Sequence, residues 1–182
     1  MKNEKLKKWD GLRMVWIMLC AAFFILHSSF FISCTSIDCP VQNLVYTNYA
    51  LKKADGSTDT LNIDTLWIKT KRADGTDTLL LNALYGSTAT KFSLPISYTQ
   101  PEDVFITLLT DTSGIPDIDT IRIKKENYPH FESVDCQASY FHKVTAVSTT
   151  HNAFDSIAIH HSSVNYDTSN DHFYLYVKKN RH

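Results

Sequence analysis

The chain has 182 residues, with 18 Lys+Arg against 19 Asp+Glu and a formal net charge of −1. Hydrophobic residues make up 43% and charged residues 20%, a globular balance that excludes a wholly disordered or collagen-like chain. Near-zero charge without a basic stripe argues against a nucleic-acid partner, and the length fits one domain with an appendage.

In chain order, the first segment is an address. Lys2, Lys5, Lys7, Lys8 and Arg13 form a positive leader, softened by Glu4 and Asp10, and an unbroken apolar run follows from Met14 to Leu26. Those 13 residues suit a secretory signal and are short for a helix crossing a ~30 Å hydrocarbon core. Extending the run to Ile32 gives 19 residues, but His27, Ser28 and Ser29 interrupt it, so an uncleaved anchor is the alternative.

Phe31-Ile32-Ser33-Cys34 closes this segment and resembles the lipobox of bacterial lipoproteins, in which the cysteine becomes the first residue and carries acyl chains. Phe31 stands where that motif usually has Leu. Several acyl chains hold far more firmly than the single chain that binds only marginally. The expectation is a signal peptide at 1–33, a tether at 34–42 that attaches to the membrane through acylated Cys34, and a folded domain at 43–182.

Removing residues 1–33 takes five basic and two acidic residues, leaving 13 Lys+Arg against 17 Asp+Glu over 149 residues. Cys20 leaves with the leader and Cys34 is taken by lipid. Cys39 and Cys136 remain, and in an oxidising compartment an even remainder of two reads as one disulfide. A metal pair or two free thiols is the competing reading, without any C-x-x-C spacing to favour it.

The remainder reads as strands. It holds 19 Thr among many Ile, Val, Tyr and Phe, and no sustained helical stripe. Strands are expected near 43–52, 59–71, 77–84, 91–97, 103–110, 119–126, 140–148, 155–161 and 172–179. Ala54-Asp55-Gly56-Ser57 and Ala73-Asp74-Gly75-Thr76 are hairpin signals. About nine short strands point to an all-β fold, a single antiparallel β-sandwich, Ig-like or related, with a β-barrel as the alternative.

One pattern recurs five times: Asp, then Thr or Ser, then apolar residues alternating with others. It begins at Asp59, Asp64, Asp77, Asp119 and Asp155. As a structural device it bonds the backbone at a strand entry and feeds apolar side chains to one core face. The first two copies abut, which places a bulge near Asp64. The same three residues resemble the O-glycosylation sequence of exported proteins in Bacteroidetes-type bacteria, which makes Thr60, Thr65, Thr78, Thr120 and Ser156 candidate acceptors.

Catalytic signatures are sparse. No G-x-S-x-G, H-E-x-x-H or P-loop occurs, so no catalytic residue and no cofactor is assigned and the chain reads as a non-enzyme. The histidines read as surface or hydrogen-bonded residues, although His142 and His160 could meet across strands. A deep pocket gathering His130, His142, His151 and Asp135 would reopen the question. Asp111, Asp117 and Asp119 form a weak Ca²⁺ candidate on a Gly/Pro loop, without the spacing of an EF-hand.

Several stretches together resemble an uncharacterised family of cell-envelope lipoproteins from Bacteroidetes-type bacteria, known as a domain of unknown function. They are residues 33–40, 92–98, 129–136, 150–157 and 164–167, of which the two cysteine-bearing segments are the most specific. The resemblance implies a lipid-anchored envelope protein and carries no activity with it. A single Asp38 after Thr35-Ser36-Ile37 favours a periplasm-facing outer-membrane anchor over surface display. The functional expectation is a non-catalytic interaction module docking on an envelope protein partner. An exposed apolar or aromatic patch would serve it, with Trp67, Tyr98, Tyr140 or Tyr174 as candidates; a glycan- or calcium-binding sandwich is the alternative.

Overall fold

The computed structural model describes residues 15–20, 39 and 44–179. Contacts divide the chain into residues 1–38 and residues 39–182. The first unit contributes one described element, a helical stretch over 15–20 whose side chains are exposed. No helix among the described residues is long and apolar enough to cross a membrane. Cys34, the expected lipidation site, and most of the expected signal and tether lie outside the described residues.

The second unit is a β-sandwich of two sheets. Its strands are β1 (Tyr46–Leu51), β2 (Asn62–Lys71), β3 (Asp77–Gly86), β4 (Lys91–Pro95), β5 (Glu102–Thr110), β6 (Pro116–His130), β7 (Ser139–Ser148), β8 (Phe154–Ile159), β9 (Ser163–Val164) and β10 (Phe173–Val177). One sheet has the order β4-β1-β10-β8 and the other β3-β2-β5-β6-β7-β9, with no closure into a barrel. All nine expected strands are present; the two-residue β9 was too short to leave an alternating pattern.

Among the described strands every pairing is antiparallel except one. β1 and β10 run parallel at the centre of the four-stranded sheet, with Tyr49 opposite Phe173 and Leu51 opposite Leu175. The first and last strands of the domain therefore close it together. Asn48 fastens this junction: its Nδ2 donates to Thr168 O at 2.8 Å and Asn170 O at 2.9 Å, and its N–H donates to His172 Nδ1 at 3.0 Å.

The core lies between the sheets, where alternate positions point inward. Tyr49, Leu51, Leu94, Phe154, Phe173 and Leu175 face Leu66, Ile68, Phe105, Leu109, Ile121 and Ile123, all essentially without solvent exposure. Each such side chain contributes about 1.5–3 kcal/mol by leaving water. The stacked Tyr49 and Phe92 rings, 4.7 Å apart, fill the β1–β4 flank.

Two local expectations meet different fates. Asp74-Gly75 closes the β2–β3 hairpin, with Gly75 at φ 83° and Arg72 N–H donating to Thr76 O at 2.8 Å. Asp55-Gly56 closes a turn of its own, held by Lys53 N–H to Ser57 O at 2.9 Å, but β1 and β2 belong to different sheets and do not pair. The bulge expected near Asp64 is present as a register shift between Asn62 and Thr65, with Asn62 at φ 54°.

Candidate functional site

The longest strand organises the domain's polar interior. Along β6, Asp119, Ile121, Ile123 and Lys125 all point inward, so an apolar pair is bracketed by two buried charges of opposite sign. Each charge holds a segment that crosses between the sheets.

At one end, Asp119 gathers the β7–β8 connection. Its Oδ1 accepts from Thr150 N–H at 2.7 Å, Thr120 N–H at 2.9 Å and the Thr150 hydroxyl. Its Oδ2 accepts from the N–H groups of Asn152, Ala153 and Phe154, each at 3.1 Å. Burial pushes this carboxyl's pKa upward, but the bonds from Thr150 and Phe154 outweigh it and hold the pKa below the usual carboxylate range.

At the other end, Lys125 Nζ sits 2.6 Å from Asp103 Oδ2 and donates to Gln100 O at 2.6 Å. Asp103 Oδ1 accepts from Ser97 N–H at 3.0 Å, so this pair fixes the β4–β5 connection. Desolvation raises the Asp103 pKa, and the Lys125 bond and charge offset that only in part. Beside them, His142 Nδ1 meets Asn127 Oδ1 at 2.7 Å. Burial, and then the Lys125 charge, lower the His142 pKa to about 4.

The three calcium candidates, Asp111, Asp117 and Asp119, do not group as metal ligands. Both Asp119 oxygens are occupied by donors at the strand's inner face, while Asp111 caps its own turn through Ser113 N–H at 2.7 Å. Asp117 lies half-buried on β6. Among the described residues no three His, Cys, Asp or Glu side chains group as metal ligands.

The histidines are likewise dispersed. His142 lies in the six-stranded sheet, whereas His160 follows β8 and stacks on Tyr174 at 4.2 Å, so the two do not meet across strands. His130 stacks on Phe141 at 4.2 Å, and His151 Nδ1 lies 2.7 Å from Asp155 O. A cleft of about 770 Å³ opens between residues 95–100 and the β2–β3 hairpin, with Tyr98, Arg72, Glu102 and Arg122 among its lining. None of His130, His142, His151 and Asp135 lines it.

The outer face of the six-stranded sheet carries an apolar surface. On β5, Phe105, Thr107 and Leu109 are buried inward, so Val104, Ile106 and Leu108 point outward. Trp67 on β2 lies opposite Leu108, and Leu108 opposite Ile118 on β6. Paired residues share a face, so these three make one apolar row across three strands. Leu79 on β3 extends the next row through Lys69 and Ile106, and it is 53% exposed, as Ile118 is 51%. An antiparallel sheet with a solvated outer face normally alternates apolar with polar residues. The stretch Val104–Leu109, apolar on both faces of the strand but for Thr107, is the signal that sequence reading passed over.

The other aromatic candidates lie elsewhere. Tyr174 sits on the four-stranded sheet under Lys52 Nζ, 5.0 Å from the ring centre. Tyr98 and Tyr140 stack on each other at 5.5 Å. Trp67 alone of the four lies in the apolar row.

The repeated Asp-Thr pattern feeds the core at Leu61, Leu66, Ile68, Ile121 and Ile123. In the copies on β3 and β8, both edge strands, it does so only in part: Leu81 and Ile157 pack against the core while Leu79 and Ile159 are exposed. Of the candidate acceptors, Ser156 is exposed and Thr60, Thr65 and Thr120 are half-buried. The Thr78 hydroxyl is buried.

Cys39 and Cys136 form a disulfide with Cα atoms 5.5 Å apart, which settles the cysteine alternatives. The model of a family of unknown function, DUF6452, matches residues 65–177, from β2 through β10. No curated protein and no solved structure matches the chain.

Proposed function

The chain belongs to the DUF6452 family of unknown function, and on that premise we propose that it is a lipid-anchored, non-catalytic interaction module of a bacterial cell envelope, of the Bacteroidetes type. The observation that carries the interaction role is the apolar row Trp67, Leu108 and Ile118 on the solvent side of the six-stranded sheet. A face of that composition favours a protein partner of matching apolar character. Lipid attachment at Cys34 is supported by the sequence around it and by the cysteine count, since Cys39 and Cys136 occupy each other. Their disulfide also favours an oxidising, exported location. The single Asp38 after Thr35-Ser36-Ile37 favours an outer-membrane anchor that faces the periplasm.

The test is chemical cross-linking of the protein in its native envelope, followed by identification of the attached partner. Trp67→Ser should abolish the cross-linked species while leaving the melting temperature within a few degrees. Tyr174→Ser, on the opposite sheet, should leave the species intact. The reverse pattern of loss refutes this face as the docking surface.

A glycan ligand is the second reading, favoured by the 770 Å³ cleft in which Tyr98, 51% exposed, stands beside Arg72, Glu102 and Arg122. Aromatic and charged side chains together suit a sugar's apolar face and hydroxyls. Tyr98→Ala should then remove binding to an array of envelope polysaccharides, whereas an array that is silent with the unmutated protein removes this reading.

A further inference from the structure

The disulfide does more than brace the domain. It fixes where the chain leaves the sandwich: Cys39 is bonded into the β6–β7 loop, at the Lys125 end. That loop, residues 131–138, presents Phe131 at 63% exposure and Val134 at 97%. Tyr128 and Tyr166 flank it, both also exposed. Such side chains are not left in water by a loose fold, because the base of the loop is built firmly. His130 stacks on Phe141 at 4.2 Å, Phe141 meets Tyr166 edge-on at 5.0 Å, and the Tyr166 hydroxyl bonds Ser139 Oγ.

Cys34 precedes Cys39 by five residues, and five residues of fully extended chain span at most ~18 Å. If Cys34 carries lipid, the loop bearing Cys136 is held within about that reach of the bilayer, plus the 5.5 Å between the bonded Cα atoms. We infer that the β6–β7 loop is a membrane-contacting surface, with Phe131 and Val134 entering the headgroup–acyl boundary and Tyr128 and Tyr166 at its rim. This rests on the lipid-anchor reading. The disulfide then acts as an orienting tether, setting which end of the sandwich meets the lipid and leaving the outer sheet faces free. Apolar residues inside and amphipathic aromatics around them are what a water–lipid boundary accommodates.

Charge specifies the kind of lipid. Glu132 and Asp135 lie in the same loop, and His130 Nε2 sits 3.0 Å from Glu132 Oε1. Two carboxylates among the apolar side chains disfavour anionic headgroups, so the contact is with a neutral lipid surface through burial of apolar area.

The test uses the protein extracted from membranes and reconstituted into phosphatidylcholine–phosphatidylethanolamine vesicles with brominated acyl chains. Its intact mass is measured first. Val134→Trp places a fluorophore in the loop. Ser57→Trp places one at the opposite end, in the turn beside Lys178, whose N–H bonds Ala153 O near Asp119. Bromine should quench the added emission of Val134→Trp at least about twofold and leave that of Ser57→Trp unchanged. Replacing half of the lipid by phosphatidylglycerol should weaken the quenching. Joint Cys39→Ser and Cys136→Ser substitution should reduce it with acylation retained.

The outcomes separate cleanly. An acylated chain beginning at Cys34 without quenching at 134 overturns the loop contact and leaves the anchor standing. A chain beginning at Met1 without acyl mass brings down the anchor and the inference with it. Emission from Val134→Trp that is already blue-shifted without vesicles overturns the lipid surface in favour of a protein contact.

Discussion

Asp119 is the residue whose loss should be felt most for its size. Replacing it by Ala removes the acceptor for five backbone N–H groups and one hydroxyl. Ala153 and Phe154 have no solvent exposure, so their N–H groups would stay dry and unpaired, at about 1–3 kcal/mol each. Thr120, Thr150 and Asn152 can regain water after local opening and add little. The expected loss is therefore about 3–5 kcal/mol, a large part of a domain's whole stability. Asp119→Asn keeps one carbonyl acceptor and the shape, and should lose roughly half as much.

The pH dependence follows from the same contacts. The folded pKa of Asp119 is depressed, so its contribution is complete above the unfolded value of about 3.9 and disappears as pH falls through the lower folded value. Urea unfolding followed by Trp67 fluorescence and far-UV circular dichroism, at pH 7 and stepwise from pH 5 to pH 2, reads both effects. Asp119→Asn should flatten the acid limb. Asp55→Ala, at an exposed turn, should shift the midpoint far less. A loss below about 1 kcal/mol in Asp119→Ala, or an unchanged acid limb in Asp119→Asn, refutes the assignment of Asp119 as the organiser of the β7–β8 connection.

Other expectations follow from the opposite end of β6. Lys125→Met strands the Asp103 carboxylate and should cost about 3–5 kcal/mol in urea unfolding, and adding Asp103→Asn should recover most of it. No recovery in the double variant would show that the pair is not coupled. His142, neutral in the fold with a pKa near 4, should make stability fall as pH drops from about 6.5 toward 4, by up to about 3 kcal/mol. A His142 imidazole resonance, assigned by its loss in His142→Gln, that titrates near 6.5 in the folded protein would contradict this. The disulfide spans a sequence separation of 97 residues, so its reduction should lower stability by up to about 4.7 kcal/mol in the chain-entropy model, measurable as a lower melting temperature. An unchanged melt would mean the unfolded chain is already restrained there.

The strands were legible in the sequence because each needs only local information: apolar residues at alternate positions, bounded by Gly, Pro or Asp turns. Phe173, Leu175 and Val177 announce β10 in that way, and the abutting Asp59 and Asp64 repeats announce the bulge. The disulfide was legible from counting, once the expected signal peptide set Cys20 aside and the expected lipidation set Cys34 aside. Partnership was not legible. Alternation states that one face is buried but not against which sheet, so Asp55-Gly56 and Asp74-Gly75 look alike although only the second joins paired neighbours.

The same limit governed the candidate sites. Five Asp-Thr or Asp-Ser copies are equivalent on paper. Only the packing of two sheets turned Asp119 into a buried acceptor, left Asp155 at an exposed edge, and closed Lys125 over Asp103 across 22 residues of sequence. The sequence by itself determined local geometry and covalent pairing, which depend on neighbours along the chain and on residue counts. The tertiary structure decided which charges are dry, which aromatics touch and which apolar row faces outward, because desolvation depends on what the fold brings from far away in sequence.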